Sequence, residues 1–332
     1  MSLIYDIAYV EFYVKDLEKA DKLFRECLGF ETINKQSNQV SFYHNSIKFI
    51  FKTPKSSSDK VGDFLKHHGS SAAKISFFTT DVLMCVNNSL GFGKKIIDSP
   101  KENKNLKATI EFSNGLFFEF LDGRKYDTPL FLEKSHNNKN SLFKGIDHIA
   151  LCVNKNEFNS SILYFQKALN LIQTRNEEDI SSIESGMKTI VLSSKNGAIK
   201  FPIVSPLSSK SPLTSFLKEF NGSGIHHIAF STNNIISTLE NINGNIIKFL
   251  QPPLSYYLDL YKKEFRLPEE LEILKHYGVL YDGENKGYLL QIFSKPIFER
   301  STIFLEFIER KNNSGFGNRN IKSLYESLEQ LK

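Results

Sequence analysis

Three residues of this chain have types and spacing that could hold a metal ion: His148, His227 and Glu306, each 79 residues from the next. His148 lies in Gly145-Ile146-Asp147-His148-Ile149-Ala150-Leu151-Cys152, and His227 in Gly224-Ile225-His226-His227-Ile228-Ala229-Phe230-Ser231. Both stretches open with Gly-Ile and carry His-Ile-Ala at the same offset, so one strand pattern is written twice. With strand periodicity each imidazole shares its face with small residues, Ala150 and Cys152 or Ala229 and Ser231, which leaves room beside it. Glu306 sits in the middle of the apolar run Thr302 to Ile308. On a strand it either joins Phe304 and Ile308 on an apolar layer, and then needs a cation, a metal or strong donors, or lies on a pleat that faces water. That strand alone leaves both readings open. A lone strand histidine is more often a satisfied core residue than a ligand. Three matched positions favour the facial triad of two histidines and one carboxylate, which binds non-haem Fe(II) and leaves coordination positions open.

Strands must carry these side chains, and the sequence predicts them inside a repeat. Residues 4–14 read as a strand, Asp16 as the N-cap of an amphipathic helix, and Gly29 as its C-terminal stop. Strands near 40–44 and 47–53 follow. The same order returns from residue 146, with Tyr164 to Leu171 in the place of Leu23 to Phe30, and shorter copies start at Ala73 and Ile225. The expected fold is therefore α+β, four βαβββ modules paired into two open-barrel halves. The expected division is residues 1–132, a polar linker over 133–144, and 145–332 with a lid helix at 318–331. Asn196-Gly197 predicts a type I′ hairpin. Residues 205–211 read as loop, and Leu254 to His276 as a helical insertion packed outside the barrel.

The repeat also supplies a control. Tyr9 falls opposite His148, Lys74 opposite His227, and Glu119 opposite Glu306, so the N-terminal half should hold no metal, and Lys74 is a candidate ion-pair partner for Glu119. His44, His67, His68 and His136 lie in turn-like or polar surroundings and receive no role.

Composition narrows the class. The 332 residues carry a net charge of +5 spread along the chain, which gives little support for a nucleic-acid or membrane-surface partner. Three well-separated cysteines without CxxC spacing argue against a disulfide framework or a thiolate zinc site. The opening residues have no basic, apolar leader and no later run has the length of a membrane span, so a cytoplasmic protein is expected.

Gly287 to Pro296 with its Leu-Leu-Gln-Ile-Phe, Thr302 to Arg310, Gly315-Phe316-Gly317 and the two His-Ile-Ala strands together resemble the 4-hydroxyphenylpyruvate dioxygenase family of the vicinal oxygen chelate superfamily. The resemblance spans nearly the whole chain, with its specific motifs after residue 145. It implies Fe(II) on His148, His227 and Glu306, and substrate-facing Gln291, Phe293, Phe316 and Tyr325. It further implies an aryl α-keto acid and O₂ as reactants, homogentisate and CO₂ as products, and no nucleic-acid or membrane partner. A homo-oligomer is compatible with it.

The chain also departs from the family pattern. Val204 stands in place of an Asn, Pro212 and His226 in place of Gln, Thr189 in place of Ser, and Ile321 in place of a Phe that stacks on the substrate ring. The polar end of the pocket is therefore rebuilt. Benzylic hydroxylation, as in 4-hydroxymandelate synthase, or a less polar α-keto acid are alternatives. An extradiol dioxygenase would share the triad without the Gln strand and Gly-Phe-Gly in this order, and a metal-free binding module of the same fold is the rival from another class.

Overall fold

The computed structural model describes residues 2–56, 58–99, 106–123, 141–181, 186–242, 244–262, 271–284, 287–317 and 320–323. Within these, the βαβββ unit occurs four times. The first two units contribute β1 (Ile4–Tyr13), β2 (Glu31–Gln36), β3 (Gln39–His44), β4 (Ile47–Lys52), β5 (Ser71–Thr79), β6 (Lys95–Asp98), β7 (Lys107–Ser113) and β8 (Leu116–Asp122). The last two contribute β9 (Gly145–Cys152), β10 (Ile172–Ser181), β11 (Gly186–Ser193), β12 (Lys200–Pro206), β13 (Gly224–Ser231), β14 (Leu280–Glu284), β15 (Gly287–Phe293) and β16 (Phe304–Lys311). Each half is one eight-stranded sheet, ordered β2-β3-β4-β1-β5-β8-β7-β6 and β10-β11-β12-β9-β13-β16-β15-β14. The two orders are the same when the repeat is superposed.

Local chemistry explains the module. Asp16, Asp81 and Asn234 cap the helices that follow the first strands of modules one, two and four, their side chains accepting from Lys19, Met84 and Ser237 backbone N–H groups. Gly29 has φ +70°, and Asn170, its repeat partner, holds φ +55°, a left-handed stop that Asn tolerates better than most residues. The connecting helices Lys60–His68 and Pro212–Phe220 also match, Phe64-Leu65-Lys66 against Phe216-Leu217-Lys218. Ile149, Leu151, Ile228 and Phe230 join the main buried core, as the alternation requires.

Three expectations need correction. The β11–β12 hairpin is not a type I′ turn: only Gly197 has positive φ there, and the loop spans Ser194 to Ile199, closed by Ser194 and Ile199 backbone groups 2.9 Å apart. β12 continues to Pro206, so the loop begins later than residue 205. The 254–276 stretch is helical where described, over Leu254–Tyr261 and Leu271–Tyr277, and Tyr256, Tyr257, Leu260 and Leu274 join the core that holds Ile149, Leu151, Ile228 and Phe230, on the sheet face away from the histidines. His68 is not in polar surroundings. It is buried at the junction of the halves, with Nδ1 2.6 Å from the Phe220 carbonyl and its ring on Phe64 and Phe220. Glu299 and Arg300 reinforce that junction by bonding Ser70 and the His67 carbonyl. The linker is described only from residue 141, and of the expected lid helix only residues 320–323 are described, so Tyr325 lies outside the described residues.

Candidate metal centre

β9, β13 and β16 are neighbours, and register places His148, Ala229 and Glu306 in one row across them. Ala229 leaves an open position between the two ligands, and His227 lies two residues before it on the same face. His148 Nε2 is 3.2 Å from His227 Nε2 and 3.2 Å from Glu306 Oε2, and His227 Nε2 is 3.3 Å from the same oxygen. Two ligands about 2.1 Å from a shared metal at right angles stand about 3 Å apart, so the triangle fits a facial donor set.

Protonation agrees with that fit. The Asp147 carboxylate accepts from His148 Nδ1 at 2.9 Å, which keeps the proton on Nδ1 and turns the Nε2 lone pair to the centre. Burial opposes charge on His148, but Glu306 and Asp147 outweigh it and leave its pKa raised. Burial also opposes ionisation of Glu306, yet the two histidines hold its carboxyl at about 2. His227 is pushed down, mainly by burial. A buried carboxylate facing two imidazole nitrogens is a site that a cation completes. Among the described residues, His148, His227 and Glu306 form the one such group of three metal-ligating side chains.

Two β-bulges orient the supporting residues. In the β9–β13 ladder Asp147 and His226 have no partner, because pairing steps from His148 to Ile146 and from His227 to Ile225. A bulge turns its extra residue out of the normal alternation. Asp147 and His226 thus sit beside the ligands that follow them instead of across the sheet. His226 Nδ1 lies 3.0 Å from His227 Nδ1, and burial, then the neighbouring His227, pushes the His226 pKa well down, so it serves as a neutral acceptor. The N-terminal half has the same two bulges, at Ala8 and Ala73, with no polar group to aim.

Beyond the ligands, two hydrogen-bond chains reach the C-terminal segment. Arg310 grips Asp147 with Nε at 2.8 Å and Nη2 at 2.9 Å, donates from Nη1 to the Gly315 carbonyl and lies 5.1 Å over the Phe316 ring. Gln291 donates to Glu306 at 2.7 Å and accepts from Asn320 at 2.8 Å, and Asn320 accepts from Tyr256 at 3.0 Å. Gly317 is forced by this packing: its φ is +70°, and a Cβ there would meet Gln291 Oε1 at 1.9 Å. Sequence reasoning missed Asp147, Arg310 and Asn320, whose only signal was polarity in or beside a recognised motif, and Tyr256, which lies in the helical insertion and carried none.

The remaining expected site residues are distributed as follows. Phe316 packs its ring 5.2 Å from His148, and Phe293 meets Phe304, which stacks on His227 at 4.8 Å. Val204 and Ile321 meet in one apolar cluster with Cys152, Met187, Leu213 and Phe216. Thr189 is paired with Val204 across β11 and β12, at the edge of that cluster. In the N-terminal half Tyr9 and Lys74 both bond Glu119, Lys74 at 3.1 Å, as the repeat predicts.

Residues 145–266 match the family model described as the Glyoxalase/Bleomycin resistance protein/Dioxygenase superfamily. Among solved structures, a triple mutant of 4-hydroxymandelate synthase from Streptomyces coelicolor superposes with a TM-score of 0.85 at 24% identity, covering 100% of this chain and 99% of that one. A Mn(II)-bound glyoxalase from Novosphingobium aromaticivorans gives 0.57 at 11% identity, over 93% and 83% of the two chains. These likenesses establish the fold. Among curated proteins, the 4-hydroxyphenylpyruvate dioxygenase of Yarrowia lipolytica is 26% identical over 97% of this chain and 91% of its own length. That of Caenorhabditis elegans is 30% identical over 91% of this chain and 83% of its own length, and on that similarity the chain belongs to the 4-hydroxyphenylpyruvate dioxygenase family.

Proposed function

We propose that this protein is an Fe(II)-dependent dioxygenase of an aryl α-keto acid, converting 4-hydroxyphenylpyruvate and O₂ to homogentisate and CO₂. The observation that carries the reading is the triangle of His148, His227 and Glu306 donor atoms, with edges of 3.2, 3.2 and 3.3 Å, inside a chain of this family. Bound there, Fe(II) supplies a Lewis acid with open positions for the chelating keto acid and for O₂. The chain's own residues do the rest. Asp147 holds the His148 tautomer, Gln291 holds the Glu306 oxygen that does not face the histidines, and Phe316 with Phe304 shields the imidazoles from water. The cluster of Val204, Met187, Leu213, Phe216 and Ile321 offers an apolar wall for an aryl ring, with Thr189 and His226 as polar groups at its margin. No side-chain nucleophile is required. Tyr325 is retained as a substrate-side residue by the family pattern alone.

The apolar character of Val204 and Ile321 supports a second reading, benzylic hydroxylation to a hydroxymandelate or a preference for a less polar arylpyruvate. A cytoplasmic setting belongs to the proposal: Cys27, Cys85 and Cys152 are buried and in no disulfide, as a reducing compartment allows. Among the described residues no helix is long and apolar enough to cross a membrane. Small-molecule reactants are the only partners the reading needs.

Anaerobic protein loaded with Fe(II) should develop a visible charge-transfer band when 4-hydroxyphenylpyruvate is added, and admission of O₂ should release CO₂ and homogentisate. In Glu306→Ala both the band and turnover should vanish while the chain stays folded, since two ligands do not hold the metal in a facial array. Full iron occupancy and activity in that variant would overturn the assignment.

A further inference from the structure

A cavity of about 590 Å³ is lined by residues of both halves. Lys19 and Lys22 come from the first helix, and Lys248 and Lys295 from the C-terminal half, and no Asp or Glu lines the space. The rest of the lining is apolar apart from Asn245, with Leu23 and Ile247 buried and Ile297 half-buried. The fold sets these charges side by side. Lys19 and Lys22 are three residues apart on the helix that begins at Leu17 and runs on to Cys27, so they share a face. Phe249 and Ser294 form an antiparallel bridge, and the Lys295 backbone N–H donates to the Lys248 carbonyl at 2.7 Å, so Lys248 and Lys295 stand opposite each other. Like charges placed in either way repel.

Other surface lysines have carboxylates beside them: Lys66 has Asp63 at 3.1 Å, Lys275 has Glu272 at 3.2 Å, and Lys262 has Asp259 at 3.7 Å. None of the four cavity lysines has an ion pair among the described residues. The one hydrogen bond described for their ammonium groups runs from Lys248 to the Gly244 carbonyl at 2.8 Å, which leaves that group two donors of its three. Of the neighbouring carboxylates, Asp21 is held by Arg25 at 2.8 Å, and Glu18 stays outside the lining.

We propose that this cavity binds a small polyphosphate anion, whose phosphate oxygens accept from the ammonium groups of Lys19, Lys22, Lys248 and Lys295. Lysine binds phosphate as a point charge with rotatable donors, and a chain of linked phosphates carries enough charge to offset four lysines, which a single carboxylate does not. The volume is within the range of small-ligand pockets. A bound anion would also join the first helix to the C-terminal half. No residue of this site belongs to the metal centre, so the proposal does not rest on the reaction proposed above.

Calorimetric titration of the full-length protein with sodium tripolyphosphate at fixed ionic strength should show saturable binding at one site per chain, and Glu306→Ala, which removes a metal ligand, should bind equally well. Lys19→Gln with Lys22→Gln, and separately Lys248→Gln with Lys295→Gln, should each weaken binding about tenfold or more. All four side chains are exposed, so these variants leave the core intact. Lys262→Gln with Lys275→Gln removes the same charge from another surface and should bind as wild type does. ATP in the same titration separates two sources of the anion: tighter binding than tripolyphosphate assigns the apolar lining to an organic body, and equal or weaker binding assigns the site to the inorganic chain. The proposal fails if no saturable binding appears up to millimolar tripolyphosphate, if Glu306→Ala abolishes it, or if either pair of cavity lysines can be replaced without loss. It fails equally if the Lys262 and Lys275 variant loses as much, since the attraction would then belong to the basic surface as a whole.

Discussion

Asp147 is worth as much attention as the histidine it supports. Its carboxylate accepts from His148 and from two Arg310 nitrogens, and although burial opposes its ionisation, these partners hold its pKa well below the usual carboxylate range. Asp147→Asn keeps the shape but no longer forces the proton onto Nδ1. Metal affinity, measured by Co(II) titration of the metal-free protein, should fall about 10- to 100-fold, the cost commonly seen when the partner of a ligating histidine is lost. Affinity equal to wild type would mean that His148 holds its orientation unaided. Ile321 is expected to govern a different property. An aliphatic side chain beside Val204 restrains an aryl ring less than a stacked phenyl, and a difference of about 1.4 kcal/mol between ring and benzylic attack changes the product ratio tenfold. Product analysis should show some hydroxymandelate beside homogentisate from 4-hydroxyphenylpyruvate in wild type and a shift to homogentisate in Ile321→Phe. Identical products from both proteins would remove Ile321 from product choice.

At the scale of elements, the bulged strands and the segment after β16 act together. Each bulge adds one residue to a ladder, and the two extra residues, Asp147 and His226, reach the Nδ1 atoms of the two imidazoles. Gly315 and Asn320 then close both hydrogen-bond chains, through Arg310 and Asp147 to His148 and through Gln291 to Glu306. Their positions are therefore linked to ligand geometry. Gly317→Ala tests the link, because a left-handed φ of +70° and a Cβ overlapping Gln291 oppose the closed position together. Backbone strain of about 1–3 kcal/mol should cut the closed population, lower turnover about 5- to 100-fold and speed proteolysis of the C-terminal segment. An unchanged proteolysis rate and turnover would show that closure tolerates the methyl group.

The whole molecule uses one architecture for two purposes. In the C-terminal half the central strands β9, β13 and β16 carry donors suited to a cation, and in the other half Lys74 supplies the cation to Glu119 internally. One metal per chain is the expected content. Burial opposes ionisation of Glu119, but Lys74 and Lys107 hold its pKa down at about 2. A carboxyl depressed from about 4.5 to about 2 stabilises the fold above pH 4.5, and that stability is lost as pH falls towards 2. It amounts to about 3 kcal/mol at neutral pH. Glu119→Gln should lower the unfolding free energy at pH 7 by about that amount and flatten its decline between pH 5 and 2, as read from urea melts across that range. A decline as steep as in wild type would place the acid sensitivity elsewhere.

By itself the sequence determined the module, its fourfold repetition, the three candidate ligand positions and the N-terminal residues that stand in their places. These follow from side-chain type and strand alternation, which are local properties, and from self-comparison, which needs no coordinates. The β-bulges were not legible. A bulge is a property of the pairing between two strands, and neither Asp147 nor His226 has a sequence that distinguishes a bulged residue from one pointing across the sheet. Arg310 and Asn320 were hidden for a related reason, since their partners lie 163 and 29 residues away and only folding brings them together. The cavity in the N-terminal half is likewise tertiary: the sequence reads Lys74 as a lost ligand, whereas only the packing of Phe64, Thr109 and Phe117 around it shows the space beside it.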